Sequence, residues 1–463
     1  MGSDWKTFTL EELASEQKSA LATGPFGSAI SSKFFQENGI PVIRGGNLSA
    51  NTSDRMSDDG LVFVSEEKAA EFKRSVVRKG DLIFTCWGTI NQVGLLDEQR
   101  QFDEYIISNK QMKVTLDVDK ADPLFVYYMF SGPKKQKEIL QNGIGAAVPG
   151  FNLGQLREHK LTLPNINKQR RIASYLDSLD QKITLNNQIN QTLEQMAQTL
   201  FKSWFVDFDP VKAKMNGEQP KGMDAPFLSK EVASLFPEKL VESELGLIPE
   251  GWDVDQVGNH IAVTKGKSYK SAELQESTTA LVTLKSFKRG GGYRMDGLKE
   301  YTGKYKPQQV IEAGDLVMSL TDVTQAAEIV GKPALVIDAP QYDTLVASLD
   351  VAILRSKEAD AKQYFYGLMN TYRFHRYAES FATGTTVLHL SPKGITTFEF
   401  ACPSAELVKK YNDFAAPIFA KIEANILESQ ELAKLRDTLL PKLLSGEIDL
   451  ENVQVEQAKS LAE

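Results

Sequence analysis

The sequence predicts an α+β protein built twice, with two pseudo-symmetric globular halves separated by two long antiparallel helices that form a coiled-coil spacer. Three observations carry this expectation: an internal repeat, short β-branched and aromatic runs at the start of each repeat, and a sustained heptad at the end of each. Residues 145–164 align with residues 384–403 without a gap, at a constant offset of 239. Gly80-Asp-Leu-Ile-Phe-Thr85 has its counterpart in Gly314-Asp-Leu-Val-Met-Ser319, and Trp5 and Trp252 open the two halves.

Within each half, runs such as Ile40 to Leu48, Asp81 to Cys86 and Lys110 to Leu116 are punctuated by Gly, Asn and Asp and predict strands. An aromatic helix follows (Leu124 to Phe130; Tyr364 to Tyr377), then a Gly loop and a last strand (Leu161 to Leu163; Phe398 to Cys402). In the segment Tyr372-Arg-Phe-His-Arg-Tyr377, helical spacing sends Tyr372 and Phe374 inward and leaves Arg373 and Arg376 exposed.

After Pro164 the period changes. Ile172, Leu176, Leu179, Ile183, Asn186, Asn190, Leu193, Ala197, Leu200 and Trp204 alternate spacings of four and three. The same offset gives Tyr411, Ala415, Ile418, Ile422, Asn425, Ser429, Leu432, Arg436, Leu439 and Leu443. A helix of ~38 residues is ~57 Å long. A polar residue in such a seam costs stability but fixes register. Asn186 and Asn425, near the middle of their helices, are expected to face each other in an antiparallel pair. Pro417 predicts a break or kink near the start of the second helix, with regular packing only after Ile418. The expected organisation is a first domain (1–164), a long helix (165–208), a linker (209–245), a second domain (246–403), a second long helix (404–450) and an acidic tail (451–463).

The chain has 463 residues, ordinary hydrophobic and charged fractions, and a formal charge of −8. That total argues against indiscriminate coating of nucleic acid. Locally the sign reverses: from Lys265 to Lys306 ten Lys/Arg face four acids. Two cysteines, Cys86 and Cys402, lie in apolar strand-like stretches and read as buried thiols in a reducing compartment. No apolar run reaches membrane-span length and no secretory leader opens the chain, so the expectation is cytoplasmic.

Catalytic constellations are missing from this reading. No Gly-rich loop ends in Lys-Ser/Thr at phosphate-binding spacing. The four histidines (His159, His260, His375, His389) lack metal-ligand spacing, so no metal site is expected. Asp59, Glu66 and Lys68 form only a chance likeness to a nuclease set, and Asp207 and Asp209 read as a helix-ending turn. A duplicated chain with a spacer and no active site reads as a binding scaffold.

Five strings in order then resemble one family along nearly the whole chain. Thr23-Gly-Pro-Phe-Gly-Ser28 followed by Pro41-Val-Ile-Arg-Gly-Gly-Asn47 resembles the opening of its recognition domain. Ser203-Trp-Phe-Val-Asp-Phe-Asp-Pro210 resembles the end of its central conserved region. Ser243-Glu-Leu-Gly-Leu-Ile-Pro-Glu-Gly-Trp252 resembles the entry to the second domain, and Leu435 to Asp449 the closing conserved region. The family is the DNA specificity subunits of type I restriction–modification enzymes. The resemblance implies that each half is a target-recognition domain reading one half of a bipartite double-stranded DNA target. It also implies that the helix pair sets the spacing and docks two methyltransferase subunits. The chain itself would be non-catalytic and bind no cofactor. S-adenosylmethionine would belong to the modification partners, and ATP and Mg²⁺ to a restriction/translocase subunit. An orphan DNA-binding or anti-restriction decoy, and a scaffold that binds protein rather than DNA, are the alternative readings. The second half departs from the family opening, with Lys265-Gly-Lys-Ser-Tyr-Lys270 in place of Gly-Pro-Phe-Gly.

Base edges are read by amides, hydroxyls and cations, whereas phosphate contacts position the protein. The loops after the Gly-Asp strands therefore nominate Asn91, Gln92, Thr324 and Gln325 for base edges. Ser28, Ser31, Arg44, Lys265, Lys267, Lys270, Lys285 and Arg289 are the candidates for phosphate. Gly145 and the Gly384-Thr385-Thr386 loop offer backbone N–H groups to phosphate.

Overall fold

The computed structural model describes residues 5–49, 52–143, 150–219, 229–323, 326–358 and 361–450. It divides into two compact units, Met1–Asn186 with Glu428–Glu463, and Asn187–Leu427.

In the first unit, the strand-like runs of the sequence build two four-stranded sheets. One is antiparallel, in the order Leu21–Thr23, Gln111–Val114, Leu82–Thr85, Val93–Leu95. The other runs Val62–Val64, Ile40–Ile43, Glu104–Ile107, Val76–Arg78, with its two central strands parallel. A separate pair, Lys6–Thr9 with Lys160–Leu163, ties the start of the lobe to the strand before the first long helix. Leu82–Thr85 is buried along its whole length, which is why its sequence is continuously apolar rather than alternating. The helix Pro123–Ser131 begins with proline in its first turn, where no N–H is needed, and Asp122 caps it by accepting from Phe125 N at 2.8 Å. Its residues Phe125 to Phe130 are all buried and bring the lobe against Ile172, Ala173, Leu176, Leu440 and Leu443 of the long helices.

The second unit repeats this design. Its sheets are Ile261–Lys265, Val351–Ser356, Leu316–Ser319, Pro333–Leu335, and Lys299–Glu300, Thr279–Val282, Thr344–Ala347, Val310–Ile311. The parallel pair recurs between Thr279–Val282 and Thr344–Ala347, and the closing pair between Asp253–Gln256 and Glu399–Cys402. A small sheet of Thr321–Asp322, Leu388–Leu390 and Ala382–Thr383 is added. The aromatic helix foreseen as one element is two, Lys362–Met369 and Tyr372–Ser380. Thr371 starts the second by accepting from Phe374 N at 3.2 Å. Phe374 is buried, but Tyr372, at the first helical position, is 79% exposed, so only one of the two aromatics packs inward. The segment expected to be a linker also packs: Val211, Val232, Ala233 and Phe236 lie in one core with Trp204 and Trp252.

Both long helices form, over Ile166–Phe205 and Ala405–Ser445. Pro417 does not break the second. It sits on the exposed face, where the carbonyl it leaves without a helical partner can turn to water. The seam runs antiparallel within each unit. In the first, Asn186 Nδ2 donates to Ser429 Oγ at 3.2 Å and to Glu428 Oε2 at 2.9 Å. In the second, Asn425 Nδ2 donates to Asn190 Oδ1 at 2.8 Å. Asn186 and Asn425, expected to meet each other, each bond a polar seam residue within their own unit. Each meets the polar seam residue one step along the partner helix, and in repeat terms the two contacts are the same contact. Among the described residues, no helix is long and apolar enough to cross a membrane.

Candidate nucleic-acid interface

In the first unit, three loops at one end of the two sheets enclose a cleft of about 520 Å³. Arg44 follows the strand Ile40–Ile43, Trp87 to Gln92 follow Leu82–Thr85, and Ser108 to Lys110 turn between two strands. Ile30 and Phe35 close the side. Packing of the backbone determines this convergence. A Cβ on Gly24 would lie 1.8 Å from Ser108 O, so glycine is needed where the first strand passes the turn. A Cβ on Gly150 would lie 2.6 Å from the Trp87 ring, which rests on the Gly150 backbone and is 52% exposed on its other side. The Gly-Pro-Phe-Gly loop carries Phe26 at its tip, 85% exposed, and Asn109 Nδ2 ties that loop by donating to Gly27 O at 2.9 Å. The rim thus combines a guanidinium, an ammonium, amides, hydroxyls and aromatic faces, the groups that contact phosphates, base edges and bases respectively.

The structure brings part of the nominated set to this cleft. Arg44 is exposed in the cleft, steadied by donating to Gly60 O at 2.8 Å. Gln92 lines it, with its Nε2 donating to Leu48 O at 3.0 Å. Ser28 is exposed on the Gly-Pro-Phe-Gly loop. Two candidates turn away. Asn91 does not line the cleft, and its Nδ2 donates to Gln136 Oε1 on the helix Pro133–Gln141 at 2.9 Å. The Ser31 hydroxyl is covered, although the turn Ser32–Phe34 that follows it is exposed. Trp87, Thr89, Asn109 and Lys110 were missed. The turn Ser108 to Lys110 reaches the cleft only because parallel pairing brings Glu104–Ile107 beside Ile40–Ile43. Gly145 lies outside the described residues.

The second unit has the same corner with other side chains. Gly266 repeats Gly24, a Cβ there lying 2.0 Å from Ser348 O. Lys265, Lys270 and Lys285 are exposed and Lys267 half-exposed beside it, with Lys267 bridging Ser348. Arg289 is exposed too, but leans on Glu328 at 3.4 Å. Where the first unit has Asn109-Lys110, the second has Leu349-Asp350, and Leu349 and Val323 are exposed. Asp322 is structural: it is buried and accepts from the N–H groups of Ile329 (2.6 Å) and Val330 (3.2 Å). Thr385 and Thr386 are exposed in the loop after Gly384, whose φ of +131° suits glycine alone. Thr324 and Gln325 lie outside the described residues.

A second cavity in this unit, about 600 Å³, runs along the outer face of the first long helix. Thr192, Gln195, Met196, Thr199 and Ser203 line one side, and Pro210, Lys212, Ala213 and Asn216 the other.

A family model described as the type I restriction modification DNA specificity domain matches residues 2–195. Over most of its length the chain is similar to type I restriction–modification specificity subunits. It is 23% identical to the type I restriction enzyme HindI specificity subunit of Haemophilus influenzae, over 96% of this chain and 100% of that one. It is 24% identical to the MjaIX specificity subunit of Methanocaldococcus jannaschii, over 84% of this chain and 82% of that one. The crystal structure of a type I restriction–modification system S subunit from M. genitalium superposes with a TM-score of 0.52 at 16% identity, covering 95% of this chain and 96% of that one. That likeness supports the fold of the specificity subunit.

Proposed function

We propose that this chain is the DNA-sequence reader of a type I restriction–modification complex, each recognition lobe taking one half of a bipartite duplex target. The observation that carries the reading is the corner described above. One two-sheet scaffold is built twice, and the same loops carry Arg44, Trp87, Gln92 and Asn109 in one unit but Lys285, Val323 and Leu349 in the other. Equal frames with unequal rims are what two different half-sites require. The amides, hydroxyls and cations around the first cleft match base edges and phosphates, and exposed Val323 and Leu349 match thymine methyl groups. The chain recognises and its partners catalyse: methyltransferase subunits supply S-adenosylmethionine, and a translocase–nuclease subunit supplies ATP and Mg²⁺ chemistry. The cavity along the first long helix, with Met196 exposed within it, supports docking of a modification subunit on the spacer.

The test is binding of the assembled complex to a duplex carrying the methylated motif of its host, measured across a salt series. Affinity falls linearly on a log–log plot with added salt, and Arg44→Ala flattens the slope by about 1. Binding that ignores salt and sequence would favour the protein scaffold, and DNA binding by the chain without affinity for a methyltransferase subunit would favour the decoy.

A further inference from the structure

The closing strand pair of the second unit gathers a carboxylate, an imidazole and a thiol that the sequence holds far apart. Asp255 lies on Asp253–Gln256, His260 ends the helical turn Val257–His260, and Cys402 ends the paired strand Glu399–Cys402. Their ligand atoms all fall within 4.8 Å of one another. His260 Nε2 is 2.9 Å from Asp255 Oδ2 and 3.8 Å from Cys402 Sγ. The other ring nitrogen, Nδ1, is 2.7 Å from Glu358 Oε1. A ring with one nitrogen turned to ligand-capable groups and the other held by a carboxylate is the arrangement of a metal-bound histidine with its orienting partner. The rings of Phe365 and Phe400, at 5.8 and 5.6 Å, hold the imidazole in place.

The first unit shows that the fold does not need these groups. There Lys6–Thr9 pairs with Lys160–Leu163 and is followed by the same turn, Leu10–Leu13. Phe8, Leu13 and Leu163 occupy the positions of Asp255, His260 and Cys402. Asp117 N donates to Leu13 O at 2.9 Å as Lys357 N donates to His260 O at 2.7 Å, so Val118 stands where Glu358 does. Four apolar positions in one copy are four ligand-capable ones in the other. The second copy thus gathers a carboxylate, an imidazole and a thiol at half-buried positions where the first packs Phe8, Leu13 and Leu163 against its core.

We infer that Asp255, His260 and Cys402 bind a zinc-class divalent cation, with Glu358 orienting the imidazole and a fourth position left to water. Carboxylate, imidazole and thiolate together suit a borderline-soft ion rather than Mg²⁺ or Ca²⁺. Bonds of about 2.0–2.3 Å in a tetrahedron separate the donors by about 3.3–3.7 Å, so the thiol is placed and the carboxylate moves outward by less than about 1 Å. On binding, the Cys402 proton passes to solvent and the sulfur–metal bond forms. The ion pins the first strand of the second recognition lobe to the strand that feeds the second long helix.

The test uses the full chain, reduced and freed of any polyhistidine tag, loaded with zinc or cobalt(II) and dialysed. About one zinc per chain is expected by mass spectrometry, and the cobalt form shows a thiolate-to-metal charge-transfer band. Cys402→Ala and His260→Ala lose both signals, Cys86→Ala keeps them, and Glu358→Gln weakens affinity about 10–100-fold. The triple variant Asp255→Phe/His260→Leu/Cys402→Leu, which copies the first unit, folds and takes up no metal. A cobalt form without the thiolate band, or zinc retained undiminished by Cys402→Ala, would overturn the assignment.

Discussion

In the first unit the recognition lobe meets the long helices through buried charge, whereas in the second the equivalent joint is made of aromatic rings. Arg436, at a seam position, is buried against Asp180 at 2.5 Å, and Asp180 also accepts from Tyr128 Oη (2.6 Å) and Ser53 Oγ (3.0 Å). Arg55 adds a second layer, paired with Asp177 and with Asp97 at 3.1 Å. By the repeat offset, Ala197 and Phe419 replace Arg436 and Asp180, and Gly367 replaces Tyr128. Phe201 fills the space that glycine leaves, and a Cβ on Gly367 would lie 2.3 Å from its ring. Phe205, Tyr364 and Tyr411 stack around it at 5.0, 5.4 and 5.5 Å. One backbone joint is therefore compatible with two chemistries. The charged version demands that every partner be present, while the aromatic version demands volume.

That contrast orders the expected effects. Asp180→Ala removes the buried counter-charge of Arg436 and leaves it only the exposed Asp437, at 2.8 Å; it should lower stability by about 3 kcal/mol, whereas Asp180→Leu/Arg436→Met should recover most of the loss. Denaturant titration of the single and double variants decides this, and equal losses in both would refute the ionic account. Gly24→Ala in the first unit, and Gly266→Ala in the second, each push a methyl group into a backbone carbonyl and should cost about 1–3 kcal/mol. Here the units should respond alike, because the corner is shared even though its rim is not.

The equivalent positions of His159 and Phe398 should differ again in acid. Burial, aided by Lys135 and opposed by Glu138, pushes the His159 imidazole from its ordinary value down to about 4, so it folds neutral. The stability tied to that neutral ring is fully present above about pH 6.5 and is lost as pH falls from there to about 4, where the unfolded chain takes up the proton first. Phe398 occupies the repeat position in the second unit and does not titrate. His159→Phe should therefore flatten this part of the pH–stability curve, and an unchanged curve would show that another group sets it.

The duplication, the strands and the heptads were legible because each rests on periodicity, which is local. Leu82–Thr85 and its counterpart Leu316–Ser319 emerged as read. Side-chain direction was not legible, since partners distant in sequence decide it. Asn91 looked like a base reader from its loop, but its amide turns to Gln136 instead of lining the cleft. Asn109 drew no notice and Lys110 only as the start of a strand, and the parallel pairing is what carries them to the cleft. Arg436 broke an apolar seam without explanation until Asp180 was found opposite it. The same blindness hid Asp255 and Cys402, because strand pairing rather than motif spacing brings them to His260.

The central claim is that two equal frames read two different half-sites. Mapping methylated adenines in cells carrying the complex, before and after residues 250–403 are exchanged for those of another allele, tests it most directly. The account predicts that one half of the bipartite motif changes while the other half and the intervening spacing persist. An unchanged motif, or one altered in both halves, would contradict it.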